Sequence, residues 1–144
     1  MHDVLHDVLL TGGRTLNGLL AGVYLTFVVA VMPALRGLPD DLFASVMNRI
    51  NDAIVNPAFL TVFLGAPVLA VAFAATGPDP VAIAAAVAAV VALVITIAAN
   101  VPLNDALAHT GRRKTFEAPW VLWHYIRTAA ATVALVLLCI PSQS

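Results

Sequence analysis

Charged side chains are scarce in this chain of 144 residues. Only 10% of the residues are charged, against about 25% in an ordinary soluble domain. Hydrophobic residues make up 61% of the chain, so water is the wrong solvent for its folded form. The formal net charge of −1 leaves no broad basic surface, and we predict no nucleic-acid partner.

Cysteine is also nearly absent, which limits the covalent and metal chemistry. A single Cys139 forms no intrachain disulfide and no cysteine-based metal cluster. The sequence has no motif for haem, flavin or nucleotide, so no cofactor is predicted, and a metal ion stays an open alternative. Two histidines four residues apart with neighbouring acids have a spacing compatible with one metal ion. These residues are His2, Asp3, His6 and Asp7, for which an ordinary solvated helix start is the favoured interpretation.

What the chain does have is long apolar runs. Each of four runs has about the 20 residues that a helix needs to cross a bilayer. The predicted spans, within one domain of residues 1–144, are 16–35, 57–75, 81–100 and 120–140. From Leu42 to Ile54, apolar residues recur on one helical face, which predicts a short interfacial helix. The predicted fold class is therefore all-α: an integral membrane four-helix bundle with a short interfacial helix between the first and second spans.

The composition of the spans and connections predicts neighbours and orientation. The third span is rich in alanine, which suits close contact in lipid, and its expected neighbour is the first helix with Gly18 and Gly22. A polar connection is predicted from about Pro102 to Pro119. The basic residues lie in the first and third connections: Arg36, Arg49, Arg112, Arg113 and Lys114. The positive-inside rule places these connections in the cytoplasm, and the cytoplasmic membrane is the predicted location.

Arg127 is the residue least expected within a span. An arginine at mid-helix costs about 2.5–3.5 kcal/mol on insertion scales, so it usually faces the bundle interior and marks function. No Asp or Glu lies within a predicted span, which leaves a backbone carbonyl, Asp105 or an anionic ligand as its candidate partner. Helical spacing places Trp120 and His124 on the same face as Arg127.

Polar side chains on other elements should meet this face. On helical spacing, the first helix contributes Arg14, Asn17 and Tyr24, and the third contributes Thr96, Asn100 and Asn104. Asn51 lies on the interfacial helix, and Asn56 starts the second span. These positions predict a polar pocket roofed by the first connection.

Short motifs follow one another along nearly the whole chain. They are Val31-Met32-Pro33-Ala34-Leu35-Arg36, Asn51, Asn56-Pro57, Val101-Pro102-Leu103-Asn104, Ala106-Leu107-Ala108, Trp120, Trp123 and Arg127-Thr128. In this order and spacing they resemble the anthrone oxygenase-like family of small four-helix membrane proteins. The resemblance implies an oxygenase that turns the central methylene of an anthrone into a carbonyl with O₂, without an obvious organic cofactor. The chain departs from the expected pattern at His124, where we expect asparagine.

This chemistry assigns hypothetical roles to the polar residues. His124 would be the base, because its unperturbed pKa lies near neutrality, and Arg127 would hold the enolate or phenolate oxygen. The predicted substrate-binding residues are Tyr24, Asn51, Asn56, Asn100, Asn104, Trp120 and Trp123. The predicted partners are the lipid bilayer and a small aromatic substrate, with a homo-oligomer as an open alternative.

Two other functional classes remain open. One is a transporter or binding protein for small molecules, although a proton-driven exporter usually needs an acidic residue within a span. The other is a non-catalytic accessory protein, which would need only helix-packing surfaces. The metabolic context of the gene would separate these classes from an oxygenase.

Overall fold

The computed structural model describes residues 2–77 and 79–141, and it leaves the side chains of His2 and Asp3 outside this description. No strand occurs among the described residues, so the all-α prediction is confirmed. The elements in chain order are α1 (His2–Thr26), a first π-helical turn (Phe27–Val31), α2 (Met32–Leu35), α3 (Asp40–Ile54), α4 (Pro57–Thr76), α5 (Pro80–Ile95), a second π-helical turn (Thr96–Asn100), α6 (Val101–Thr110) and α7 (Arg113–Cys139).

Four continuous helical stretches are long and apolar enough to cross a membrane. They are Val4–Leu35, Pro57–Thr76, Pro80–Thr110 and Arg113–Cys139. These stretches confirm the predicted four-helix membrane architecture, and they fit a lipid bilayer because each exceeds the roughly 17-residue minimum for a spanning helix. The predicted short helix between the first and second spans is present as α3.

The ends of the helices follow from local chemistry. Asn56 caps α4 by accepting a hydrogen bond from the N–H of Phe59 (3.0 Å), and Asp79 caps α5 in the same way. Gly111 ends α6 with a positive φ of 62°, which favours glycine. The prediction of a polar connection from Pro102 to Pro119 is wrong. Polar residues alone do not stop a helix, and only Gly111 and Arg112 separate α6 from α7.

Both π-helical turns precede a proline. Pro33 and Pro102 are each the second residue of the helix that follows a π-helical turn. A proline inside a continuous helix lacks an N–H donor, and its ring clashes with the carbonyl four residues earlier. A wider turn relieves both problems, which explains why the two long stretches continue through their prolines.

The four spans pack in a ring. α1 packs against α4 and α7, and α5 packs against the same two helices, which places α1 and α5 at opposite corners. The predicted contact between the first and third spans at Gly18 and Gly22 is therefore wrong. Among the glycines, the closest approach to a neighbouring helix is at Gly65 of α4, where a built Cβ would lie 2.5 Å from the Cδ1 of Leu16 on α1.

One end of the bundle is closed by α3. Phe43 and Met47 are fully buried there against residues of α6 and α7. Arg113, at the start of α7, donates to the backbone carbonyls of Arg36 (3.0 Å) and Leu38 (2.8 Å). These bonds hold the first and third connections at the same end of the bundle.

Candidate active site

Arg127 on α7 is the centre of the polar interior. Its side chain is buried, with a relative exposure of 8%. No carboxylate lies within 4.0 Å of it in the part of the chain that the structure describes. The Nε–H donates to the Nδ1 of His124 (3.0 Å), and one terminal N–H donates to the Oγ1 of Thr96 (3.2 Å). A guanidinium has five N–H groups, and the hydroxyl oxygen of Tyr24 accepts from a third, so two are left without a partner among the described residues.

The hydrogen bonds of His124 determine its tautomer. Its Nε2 lies 2.9 Å from the backbone carbonyl oxygen of Tyr24, which only accepts, so this nitrogen carries the proton. Its Nδ1 faces the Nε–H of Arg127, which only donates, so this nitrogen offers its lone pair. His124 is therefore a neutral imidazole whose only lone pair is already used.

Thr96, the first residue of the second π-helical turn, links the third span to α1 and α7. Its hydroxyl donates to the carbonyl of Ala92 (2.9 Å), so its oxygen accepts from the hydroxyl of Tyr24 (3.1 Å) and from Arg127. This arrangement leaves the Tyr24 hydroxyl as a donor. Three helices are thus tied together at one level of the bundle, where the second π-helical turn begins.

Two aromatic rings stabilise the charge of Arg127. The Cζ of Arg127 lies 4.5 Å from the ring centroid of Tyr24 and 5.4 Å from that of Trp120. Cation–π contacts at such distances contribute about 0.5–2 kcal/mol, depending on how far the charge is desolvated. The rings therefore offset part of the cost of burying this cation.

Trp120 is held from two sides. Its indole Nε1–H donates to the Oδ1 of Asn104 (2.8 Å), and its backbone carbonyl accepts from the Nδ2 of Asn100 (3.2 Å). Its ring stacks on His124, with centroids 4.7 Å apart and planes inclined by 11°. The indole is 1% exposed, so its orientation is fixed by hydrogen bonds and packing together.

A cavity of about 160 Å³ lies beside Arg127. Its polar wall is formed by Tyr24, Asn51, Thr96, Asn104, Trp120 and Arg127, and its apolar wall by Val23, Phe27, Ile54, Val55, Phe59, Leu60, Phe63 and Val101. Few polar groups among aromatic and aliphatic side chains are typical of small-molecule sites. The end of α3 covers one side of the cavity.

Asn51 brings an unpaired donor to this wall. Its Nδ2 is buried and has no hydrogen-bond partner among the described residues. An unpaired buried amide costs about 1–3 kcal/mol, so such a group calls for an explanation. A ligand oxygen in the cavity would satisfy it.

Three of the residues predicted to bind substrate lie away from this cavity. Asn56 is exposed and serves as the cap of α4, with its Nδ2 donating to the carbonyl of Ala53. Trp123 is 39% exposed on the outer side of α7. Asn100 is fully buried, but it holds the backbone of Trp120 and is not part of the cavity wall. His124 is likewise behind the wall, in contact with Arg127.

Phenylalanines on the cavity wall were missed by the sequence reasoning. Phe27 follows Tyr24 by one helical turn, and it packs against both Trp120 (6.0 Å between centroids) and His124 (5.7 Å). Phe59 and Phe63 stack on each other with centroids 5.5 Å apart. The sequence held a signal for these two residues: they lie four residues apart, shortly after the predicted helix start at Asn56-Pro57, and this spacing places both rings on one face of α4.

The polar residues at the far end of the bundle form no part of this site. Arg14 donates to the carbonyl of Leu138 (2.7 Å), and Asn17 links α1 to the carbonyl of Ala66 (3.0 Å). Within the described residues, no three His, Cys, Asp or Glu side chains are close enough to hold a metal ion. Of the histidine pair near the start of α1, His6 contacts the hydroxyl of Thr76, and the side chain of His2 lies outside the described residues.

These features define a four-helix membrane protein with a buried cation beside an aromatic-lined cavity. The family model for anthrone oxygenase matches residues 43–137, which is more than half of the chain, and the chain belongs to this family. The matched range includes the whole site except Val23, Tyr24 and Phe27, which belong to α1 and the first π-helical turn. No curated protein and no solved structure matches the chain significantly.

Proposed function

We propose that this protein is a membrane oxygenase that oxidises a polycyclic phenol with O₂, and that Arg127 holds the anionic oxygen of the substrate. The observation that carries the proposal is a buried guanidinium on the wall of a cavity, with no carboxylate within 4.0 Å among the described residues and two N–H groups to spare. A preorganised cation in a site that excludes water stabilises developing negative charge far better than a cation in water. Family membership supports the reaction type.

The aromatic lining of the cavity suits a flat ring system. Phe27, Phe59 and Phe63 line the cavity together with the rings of Tyr24 and Trp120. Aromatic walls bury planar rings at little entropic cost because the side chains have only two rotatable bonds. Amide groups of Asn51 and Asn104 on the same wall would orient hydroxyl or carbonyl oxygens at the edge of the rings.

The reaction balances without another reductant. Loss of one proton from the central methylene of an anthrone gives an enolate, whose oxygen Arg127 would hold. The enolate passes electrons to O₂, and a carbon–oxygen bond forms at the former methylene; the resulting peroxide takes up a proton. Loss of water from this hydroperoxide leaves the new carbonyl, so one oxygen atom enters the product and the other leaves as water. We accordingly propose that no organic cofactor takes part, and the metal content of active protein tests whether a metal ion assists.

The hydrogen bonds of His124 favour a different role from the one that the sequence predicts. Acting as the base, as the sequence predicts, would require Arg127 first to release the Nδ1 lone pair. We therefore propose that His124 positions Arg127, with the Tyr24 carbonyl fixing the ring through Nε2. The proton would then pass to water at the mouth of the cavity, because Arg127 lowers the free energy of the enolate.

The membrane is the proposed source of the substrate. Polycyclic phenols partition into lipid, and several wall residues of the cavity are exposed on the outer surface, including Val55 (65%) and Val101 (43%). We propose the cytoplasmic membrane as the location, with the first and third connections in the cytoplasm. A homo-oligomer is compatible with the apolar outer faces of the helices.

Oxygen uptake by the purified protein in lipid nanodiscs tests the proposal. An anthrone should be consumed with O₂ in equal amounts and yield the corresponding quinone, faster than its spontaneous oxidation in empty nanodiscs. Binding of a planar phenolate without oxygen uptake would contradict catalysis and favour the small-molecule binding or transport class. Absence of both would favour an accessory protein.

A further inference from the structure

A second recess lies on the outer surface, at the end of the bundle where the first and third connections meet. It is an open groove of about 700 Å³ between the turn after α2 and the first turns of α7. It is separate from the cavity beside Arg127, since the two share no wall residue. Its chemistry changes along its length, from charged at the end of the bundle to apolar along α7.

Arg113 is the one cation of the groove whose charge is already compensated. Its Nε–H donates to Glu117 (2.6 Å), and one of its terminal nitrogens lies 3.5 Å from the carboxylate of Asp40. The backbone carbonyls of Arg36 and Leu38 accept its other donors. Arg113 therefore stabilises the wall of the groove, and it is not free to bind a ligand.

Arg36 and Lys114 are the uncompensated cations. Both are exposed, and neither has a carboxylate partner within 4.0 Å among the described residues. The groove thus combines three cations with two carboxylates, which leaves one net positive charge on its wall. An anionic group would complement it.

The apolar part of the groove continues down the face of α7 toward the membrane interior. Val121, Leu122 and Tyr125 form this wall, and Leu122 is 57% exposed. From Lys114 to Tyr125 the helix advances eleven residues, which is about 16 Å at 1.5 Å per residue, and the apolar part from Val121 to Tyr125 covers about 6 Å of this length. One leaflet of a bilayer contributes about 15 Å of hydrocarbon, half of the 30 Å core. The apolar wall therefore contacts the upper part of an acyl chain whose headgroup lies beside Lys114.

We propose that this groove binds one anionic phospholipid, with its phosphate between Arg36 and Lys114 and an acyl chain along Val121, Leu122 and Tyr125. A zwitterionic lipid fits less well, because its own ammonium group would oppose the two cations. Because the wall carries one net positive charge, the predicted preference for an anionic lipid is about fivefold.

Native mass spectrometry of the full-length protein tests this site. The protein is mixed with equal amounts of phosphatidylglycerol and phosphatidylcholine, and the one-to-one lipid adducts are compared. Wild type should retain phosphatidylglycerol preferentially, and the double variant Arg36→Gln/Lys114→Gln should lose that preference. The matched control is Arg49→Gln/Arg112→Gln, which removes two exposed cations outside the groove. The control should keep the wild-type preference.

Other outcomes would overturn the proposal. Equal losses in both double variants would show diffuse attraction to a basic surface, and no loss in either would show that the groove holds no anionic lipid. Inorganic phosphate that displaces the lipid at equal concentration would make the groove a phosphate site without a lipid. Leu122→Ser removes only apolar contact, so it should weaken phosphatidylglycerol binding and leave phosphate binding unchanged. Melting temperatures of all variants check that the fold is intact.

Discussion

The Nε–H of Arg127 donates to the Nδ1 of His124 over 3.0 Å. The same imidazole donates through Nε2 to the backbone carbonyl of Tyr24 (2.9 Å), so the ring is held between α1 and α7. These bonds fix the side chain of Arg127, which forms part of the cavity wall. The sequence suggests that His124 is the base and that Arg127 holds the anion. In the structure the Nδ1 of His124 cannot accept a substrate proton while it accepts the hydrogen bond from Arg127.

The first prediction concerns the charge of Arg127. Arg127→Gln should lower kcat/KM for an anthrone by about 10²–10³-fold, the usual effect of removing one donor that stabilises a developing anion. Arg127→Lys keeps the charge but not the planar fork, so it should restore only part of the rate. The rate of oxygen uptake, measured as a function of anthrone concentration, gives kcat/KM for each variant. A rate in Arg127→Gln equal to wild type would remove the guanidinium from the mechanism.

The second prediction separates positioning from proton transfer at His124. The amide oxygen of His124→Asn can accept from the Nε–H of Arg127 much as Nδ1 does, but an amide is no base. We expect His124→Asn to stay within about tenfold of wild type and His124→Ala to lose about 10²-fold or more. A loss of about 10²–10⁴-fold in both variants would instead support general base catalysis.

A test of His124 independent of activity is also available. Nitrogen-15 NMR of selectively labelled histidine distinguishes the Nε2-protonated tautomer from the Nδ1-protonated one. We expect the Nε2–H form in wild type and a change in the signal in Arg127→Gln. The Nδ1–H form would contradict the positioning role even if the protein proves to have a different activity.

The third prediction concerns the ring that covers Arg127. Tyr24→Phe removes the hydroxyl that donates to Thr96 but keeps the ring 4.5 Å from the Cζ of Arg127. Tyr24→Leu removes the ring as well. We expect Tyr24→Leu to be less stable than Tyr24→Phe by about 0.5–2 kcal/mol beyond the difference in packing, which is the size of a cation–π contact. Reversible unfolding in mixed micelles measures the difference, and it should shrink in an Arg127→Gln background.

The fourth prediction tests helix packing. Gly65→Ala places a Cβ 2.5 Å from the Cδ1 of Leu16, so the end of that side chain must turn aside, and this shift should cancel part or all of the stability that alanine gains from helix propensity. Gly22→Ala is the matched control because a Cβ there meets nothing within 4 Å. The control should be neutral or more stable by up to about 1 kcal/mol, from helix propensity. Equal effects in both variants would contradict the close contact between α1 and α4.

The fifth prediction concerns orientation in the membrane. In a Cys139→Ser background, a cysteine introduced by Arg112→Cys should resist a membrane-impermeant maleimide in intact cells and react after lysis. Asp7→Cys, at the opposite end of the bundle, should react from outside. Both positions are exposed, so access across the membrane is the only variable. The opposite labelling pattern would place the basic connections outside.

Sequence alone determined the architecture of this protein. The apolar runs are so long and so poor in charge that only membrane-spanning helices satisfy their backbone groups in lipid. The face shared by Trp120, His124 and Arg127 followed from helical spacing, since residues three or four apart lie above one another. The buried positions predicted for Tyr24 and Arg127 are confirmed for the same reason.

Only the tertiary structure decided which helices meet and what each polar group contacts. Periodicity gives the face of a helix but not its neighbour, so the pairing of Gly18 and Gly22 with the third span was wrong. The π-helical turns before the two prolines were also not predicted, and the second of them begins at Thr96, which accepts from Arg127. The role proposed for His124 rests on its contact with the carbonyl of Tyr24, one hundred residues earlier in the chain, and no local sequence pattern predicts a contact between such distant residues.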